Sequence, residues 1–308
     1  MSLKKKDIIK LSEAVNDKKP KVEVKGTIYK FHYVDDDRIV ELVDSDKYPK
    51  QYSFLVFDNT TKTLDISNAY TSKDGLLIYP PSKEEKFLEN LVIPKVINDE
   101  EVKEKLKNFN PQHLDKKIDE FLRKWFVLPD EYFLVLRLFI KFSWVHETQT
   151  FKTYLSFWGD RGTGKTEIGT FLSWLCRFPY FNMSGVTPAV LARVLDLVKG
   201  IAIIDESDMY FSGSEETASF MRIMKGYEEN ATYDIVDENR KTKFPKRFSV
   251  GFPKVILSSK PLKDDHISSR CIIMELKPTK IPREMVRDSR KTFWTGLKKQ
   301  AQEIVNDL

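Results

Sequence analysis

The chain has 308 residues, 41% hydrophobic and 31% charged, which is ample for a real core. Its net charge of +5 is modest, so where the charges cluster matters more than their sum. No run reaches the ~20 uncharged apolar residues of a membrane span, and the basic N-terminus MSLKKKDIIK lacks the apolar centre of a signal peptide, so no membrane partner and a cytoplasmic location, in a host cell if the chain is carried by a mobile element, are expected. In chain order, 1–19 reads as a short polar helix. VEVKGTIYKFHYV, RIVELV, YSFLVF and GLLIYP then read as short strands between turn-like DDD, DNTT and SKDG, and Pro80-Pro81 closes this unit. HLDKKIDEFLRKWF has apolar residues at helical spacing, and a second helix starts at Pro129-Asp130 and runs to Val145. HETQT (146–150) reads as a hinge.

From Phe151 strands and helices alternate. TYLSFW, GIAIIDE, KVILSS and CIIMEL read as strands, and KTEIGTFLSWLCRF, AVLARVLDLV and SFMRIMKGYE as helices. Thr187-Pro188 is a helix start, with Thr as the cap and Pro at the first helical position. This alternation predicts a parallel sheet covered on both faces. The expected division is 1–81 as a β-rich unit, 82–147 as a helical linker or collar, and 148–308 as an α/β core with a short helical tail. Cys176 and Cys271 sit among apolar residues and read as buried small hydrophobes, and no His or Cys pair has metal-ligand spacing.

Between the first of these strands and its helix stands FWGDRGTGKTEIG (157–169), which contains the pattern G-x-x-x-x-G-K-[ST]. Glycines let successive N–H groups converge on phosphate oxygens. The predicted triphosphate-binding loop is Gly159, Asp160, Arg161, Gly162, Thr163, Gly164, Lys165 and Thr166. Lys165 brings a point charge to the phosphates and the Thr166 hydroxyl is a ligand for Mg²⁺. A second element, IIDE, ends a buried strand with two carboxylates. Asp205 is expected to hold the metal and Glu206 to orient and deprotonate the attacking water. The cofactors expected are therefore ATP and Mg²⁺. A GTPase would carry an NKxD-type guanine reader, and an ABC-type ATPase an LSGGQ-like segment; neither is present.

The order GDRGTGKT, IIDE, VILSSK, SSRC resembles the AAA+ P-loop ATPases. The 40 positions from Lys165 to Asp205 and the segment FPKVILSSKPLKDDHISSRCIIMEL resemble more narrowly the superfamily III and primase-associated helicases of viruses, phages and plasmids. The resemblance implies an AAA+-like P-loop NTPase core. It places a γ-phosphate sensor among Ser258, Ser259 and Lys260, where the family usually has Asn. It makes Arg270 a finger acting on a neighbouring subunit, and hence implies a homo-oligomer, commonly a hexameric ring. It covers roughly 151–276.

An insert, 229–252, reads as a hairpin from ATYDIVD and RFSVGF. Its tip collects Arg240, Lys241, Lys243, Lys246 and Arg247 with Phe244 among them, a pattern suited to single-stranded DNA. In the resembled helicases such a hairpin grips DNA in a central pore. The tail 277–300 reads as a surface helix, with Arg283, Arg287 and Arg290 as candidates for a second sensing cation. The activity expected is an ATP-driven DNA motor, a replicative helicase of a mobile element. Two alternatives stay open: a loader or initiator ATPase that remodels protein–DNA complexes, and a nucleotide-gated assembly module with negligible turnover. A primase or another replication protein is a candidate partner of the N-terminal unit.

Overall fold

The computed structural model describes residues 26–29, 32–34, 37–72, 75–85, 88, 91–182, 186–208, 215–236, 244–278 and 291–308. The polar helix expected at 1–19 lies outside them, as do Arg240, Lys241, Lys243, Arg283, Arg287 and Arg290.

The N-terminal part is built from short strands. β1 (Gly26–Tyr29), β2 (His32–Val34), β3 (Arg38–Ser45), β4 (Ser53–Asp58), β5 (Thr63–Ser67), β6 (Tyr70–Thr71) and β7 (Leu76–Tyr79) follow in order. β2-β3-β4-β5 form an antiparallel meander, and β8 (Lys95–Val96) pairs with β3 in parallel. β1-β7-β6 form a second small sheet. Alternation along β3 turns Val40 and Leu42 inward, where they meet Phe54, Ile78 and Leu91. The same cluster contains Phe178 and Val198 of the C-terminal half, so the two halves share a core.

Three helices follow: α1 (Asp99–Lys107), α2 (Pro111–Arg123) and α3 (Asp130–Val145). Asn110 caps α2 by accepting from the N–H groups of Gln112 and His113, with Pro111 at the first helical position. The stretch 146–150 has regular structure at its start. His146–Thr148 form one 3₁₀ turn, His146 is buried, and the buried Lys152 donates Nζ to the carbonyls of His146 and Gln149. Lys152 thus finds its acceptors within the turn, and His146 Nε2 bonds Lys199 O.

The C-terminal part is a five-stranded sheet. β9 (Tyr154–Trp158), β10 (Tyr180–Asn182), β11 (Ala202–Ile204), β14 (Lys254–Ser258) and β15 (Cys271–Glu275) lie in the order β10-β11-β14-β9-β15, every pair parallel. The helices among them are α4 (Lys165–Leu175), α5 (Pro188–Val198), α6 (Glu215–Met224), the short α7 (Asp265–Ser268) and α8 (Lys291–Val305). A separate hairpin pairs β12 (Thr232–Ile235) with β13 (Lys246–Ser249).

Period-two alternation divides the sheet's side chains between two layers. Leu155, Phe157, Ile203, Val255 and Leu257 face a core with α2, α3, α4 and α8, whereas Tyr154, Ile204 and Ile256 face one with α5, α6 and the hairpin residue Phe248. The expected parallel sheet with both faces covered is present. Of the stretch 277–300 expected as a surface helix, 279–290 lie outside the described residues; α8 is exposed at 295, 296, 299 and 300 and buries a stripe of Leu297, Ala301, Ile304 and Val305 in the layer over α4. Among the described residues no helix is long and apolar enough to cross a membrane.

Arg177, just past α4, is 1% exposed and bonds Glu41 of β3 through Nε at 2.8 Å and Nη2 at 3.0 Å, and Glu147 through Nη1 at 2.8 Å. Burial works against its charge, but Glu41 and Glu147 outweigh burial and hold it protonated. It ties together the N-terminal sheet, the turn after α3 and the C-terminal end of α4.

Candidate nucleotide site

β9 ends at Trp158 and the chain turns through 159–164 into α4. Gly162 and Gly164 have φ of 82° and 88°, in the left-handed region that costs a residue with a Cβ roughly 1–2 kcal/mol. Nothing stands within 4 Å of where a Cβ would sit on either, so conformation and not space requires glycine. At Gly159 the reason is space: a Cβ would lie 2.3 Å from the carbonyl oxygen of Leu276, just past β15.

α4 begins without a side-chain cap. Among the described residues the backbone N–H groups of 160–167 donate to no backbone acceptor, whereas Gly159 N–H donates to Ser258 O and Ile168 N–H to Gly164 O. The loop and the first turn of α4 thus form a run of open donors at the positive end of a helix, an anion-binding arrangement. Lys165 Nζ crosses the loop to Gly159 O at 2.6 Å and Asp160 O at 2.8 Å, and Thr163 Oγ1 donates to Asp160 O at 2.8 Å. Asp160 and Arg161 are exposed.

The strand with the two carboxylates comes to the same edge. β11 is fully buried, and Asp205, 7% exposed, follows it at the carboxyl end of the sheet. Thr166 Oγ1 donates to Asp205 Oδ2 at 2.7 Å, and Asp205 Oδ1 accepts the N–H of Glu206 at 2.8 Å. Glu206 is exposed and has φ of 50°, a left-handed conformation rare for a residue with a side chain and concentrated at functional sites. The donor set of one hydroxyl and one carboxylate suits a hard cation that keeps several waters and takes its other oxygens from substrate phosphates.

β14 lies between β9 and β11 and delivers the three sensor candidates to this edge. Ser258 is buried opposite Trp158, and its Oγ donates to Lys260 O at 2.6 Å. Ser259 and Lys260 are exposed. Two contacts not foreseen from the sequence staple β14 to the exit of β11: Ser207 Oγ donates to Leu257 O at 2.9 Å, and Ser259 N–H donates to Asp208 Oδ2 at 2.7 Å. Their only sequence signal is the hydroxyl and carboxylate that follow IIDE.

The remaining candidates lie elsewhere. Arg270 precedes β15 at the amino end of the sheet, opposite the loop, where its carbonyl accepts Tyr154 N–H. Its guanidinium stacks over Tyr227 at 3.8 Å and donates to Lys225 O at 3.2 Å. The hairpin pairs as its sequence suggests, with Asp234 opposite Arg247. Arg247 forms a two-pronged contact with Asp234 at 2.9 and 3.2 Å, Lys246 lies over the Phe248 ring at 4.9 Å, and Phe244 is 80% exposed.

Both feet of the hairpin meet one buried lysine. Lys254, the first residue of β14 and 0% exposed, donates Nζ to Gly226 O before the hairpin and to Val250 O and Phe252 O after it, and to Tyr154 Oη. Burial, with Arg270 nearby, pushes its pKa well below the ordinary lysine value.

No protein-family model and no curated protein matches the chain. Among solved structures, JCV helicase bound to a thiazolopyridine-phenoxyphenyl acetamide aligns over 64% of this chain and 53% of its own, at 14% identity and a TM-score of 0.40. A second X-ray structure of JCV helicase aligns over the same shares at 13% identity and 0.39. The apo C-terminal region of NrS-1 aligns over 87% of this chain and 65% of its own, at 13% identity and 0.37. The chain thus spans about half the length of the JCV helicase structures.

Proposed function

We propose that this chain is an Mg²⁺-dependent ATPase of the AAA+ P-loop kind that works as a DNA motor, a replicative helicase of the superfamily III type. The observation that carries the reading is the 2.7 Å bond from Thr166 to Asp205, which joins the phosphate-loop motif to the acidic strand beside a run of open N–H donors. The loop donors and Lys165 hold the triphosphate. Thr166 and Asp205 hold the metal, which supplies charge neutralisation for phosphoryl transfer to water. Glu206 is placed next to Asp205 by its left-handed backbone, and takes the proton of the attacking water.

A sensor among Ser258, Ser259 and Lys260 reports the γ-phosphate to β14, whose other end carries the hairpin feet. Phe244, Lys246 and Arg247, with Arg240, Lys241 and Lys243, contact single-stranded DNA. Arg270, too far from its own loop at the opposite end of the strands, serves a neighbouring copy in a homo-oligomeric ring, and the N-terminal strands remain a candidate dock for a primase or other replication protein.

Sizing the full chain with and without ATP and single-stranded DNA, with hydrolysis followed in the same samples, tests this reading, and a forked-duplex displacement assay completes it. Assembly with DNA-stimulated hydrolysis and displacement is the expected result. Stimulated hydrolysis without displacement selects a loader, and nucleotide-dependent assembly without turnover selects a gated assembly module.

A further inference from the structure

Arg270 is held differently from Arg177 and Arg247. Those two are paired with carboxylates, Arg177 with Glu41 and Glu147 and Arg247 with Asp234. Arg270 bonds no carboxylate among the described residues. Its guanidinium carbon lies 3.8 Å from the centre of the Tyr227 ring, and Nη1 donates to Lys225 O at 3.2 Å. Both holders are neutral, so the positive charge stays uncompensated. A ring face attracts a guanidinium through its quadrupole without neutralising it, so the cation is confined and still attracts a phosphate.

The segment that carries the ring is itself fixed. Tyr227 O accepts Lys152 N–H at 2.8 Å, and Phe151 bridges Glu228 in antiparallel fashion. The Phe151 ring stacks with Tyr227, centres 5.7 Å apart and planes 17° from parallel. One residue earlier, Gly226 O accepts both Tyr154 Oη and Lys254 Nζ at 2.8 Å. A Cβ on Gly226 would stand 2.9 Å from Val250 Cγ2, so the chain here lies close against the far foot of the hairpin. Lys225 Nζ pairs with Asp264 Oδ2 at 3.1 Å, and Asp264 caps α7, the helix that ends just before Arg270.

We infer that Tyr227 is the positioning residue of Arg270: its ring face keeps the guanidinium confined and unneutralised at the amino end of the sheet, ready for the γ-phosphate bound by a neighbouring copy. The inference rests on the proposed role of Arg270 and adds the residue through which it is aimed. The ring face does this and not the hydroxyl, which makes no hydrogen bond among the described residues.

The test is a double-mutant cycle on ATP hydrolysis by the full chain with single-stranded DNA present, using Tyr227→Leu, Arg270→Ala, the two together, and Tyr227→Phe. Leucine keeps an apolar side chain at this half-buried position and removes the ring face. Expected for Tyr227→Leu is a fall in kcat of about 2- to 30-fold, the worth of the ring contact, with KM for ATP unchanged. Tyr227→Phe, which keeps the face, retains the wild-type kcat. In the Arg270→Ala background, itself slower by about 10³-fold or more, Tyr227→Leu has no further effect. An equal loss from Tyr227→Leu with and without Arg270, a Tyr227→Phe as slow as Tyr227→Leu, or a wild-type kcat in Tyr227→Leu overturns the inference, and leaves the proposed role of Arg270 standing where Arg270→Ala has lost turnover. Undiminished hydrolysis by Arg270→Ala, or none by the wild type, removes that role and this inference together.

Discussion

Thr166 and Asp205 stand 39 residues apart in the chain, and their side chains meet at 2.7 Å. One is in the first turn of α4, the other one residue past β11, and β14 lies between their strands. β9 and β11 are not neighbours in the sheet, so the contact exists because both chains emerge at the same edge of a parallel sheet, where ligands collect in open α/β folds.

Removing single members of this group has separable outcomes. Lys165→Ala is expected to abolish nucleotide binding and turnover. Glu206→Gln is expected to keep Mg²⁺-ATP affinity and lose hydrolysis by about 10²–10⁴-fold, the usual range for a lost general base. Steady-state phosphate release and equilibrium binding measure both, and undiminished release from either variant refutes the site.

At the hairpin, Phe244 is expected to matter more than Arg247. Phe244→Ala removes an exposed stacking surface and should weaken single-stranded DNA binding by ~1–3 kcal/mol. Arg247 is already paired with Asp234, so Arg247→Ala should change the salt dependence less than Lys246→Ala, which removes a charge with no ion-pair partner among the described residues, worth a slope of ~0.7 in log K against log salt. Binding titrations across a salt series decide the order.

His146 makes stability depend on pH. Its Nε2–H donates to Lys199 O at 3.0 Å, while Nδ1 is buried without a partner among the described residues. Burial, then the charge of Arg177, push its pKa down from 6.5 to about 3. The unfolded chain takes up a proton below pH 6.5 and the folded chain does not, so the contribution is complete above pH 6.5 and is lost as pH falls toward 3. From pH 8 to pH 5 the loss is about 2 kcal/mol. Urea unfolding of the wild type and of His146→Gln, which retains an N–H for Lys199, should differ in this slope.

Two core changes report on the mounting of α4. Arg177→Met leaves Glu41 and Glu147 without their cation and should cost ~3–5 kcal/mol. A Cβ at Gly169 would stand 2.8 Å from Leu257 Cδ1 and 3.0 Å from the Phe181 ring, so Gly169→Ala forces those side chains to repack, an overpacking cost of ~1–3 kcal/mol offset in part by the ~1 kcal/mol that alanine gains over glycine in a helix. Chemical unfolding midpoints check both.

The loop and the acidic strand were legible in the sequence because their requirements are local: glycines at φ near 82° and 88°, a helix start and a buried strand that ends in charge. β10 was not, since PYFN has too few apolar residues to read as a strand and becomes one only by pairing with β11. The 3₁₀ turn at His146–Thr148 was not legible in HETQT, because a buried His looks like a solvent-facing residue until its carbonyl partner is known. The buried stripe of α8, Leu297-Ala301-Ile304, was missed because two of its three residues lie past the stretch 277–300 that reads as a surface helix. A cavity beside the loop could not be read at all, because residues 125–132, 163–168 and 275–277 meet only in the fold.

Lys254 joins the two feet of the hairpin. One side-chain nitrogen bonds the carbonyls on both sides of the insert, and its own backbone is the start of the strand whose far end borders the phosphate loop. A shift of that strand would therefore bear on both feet of the hairpin at once.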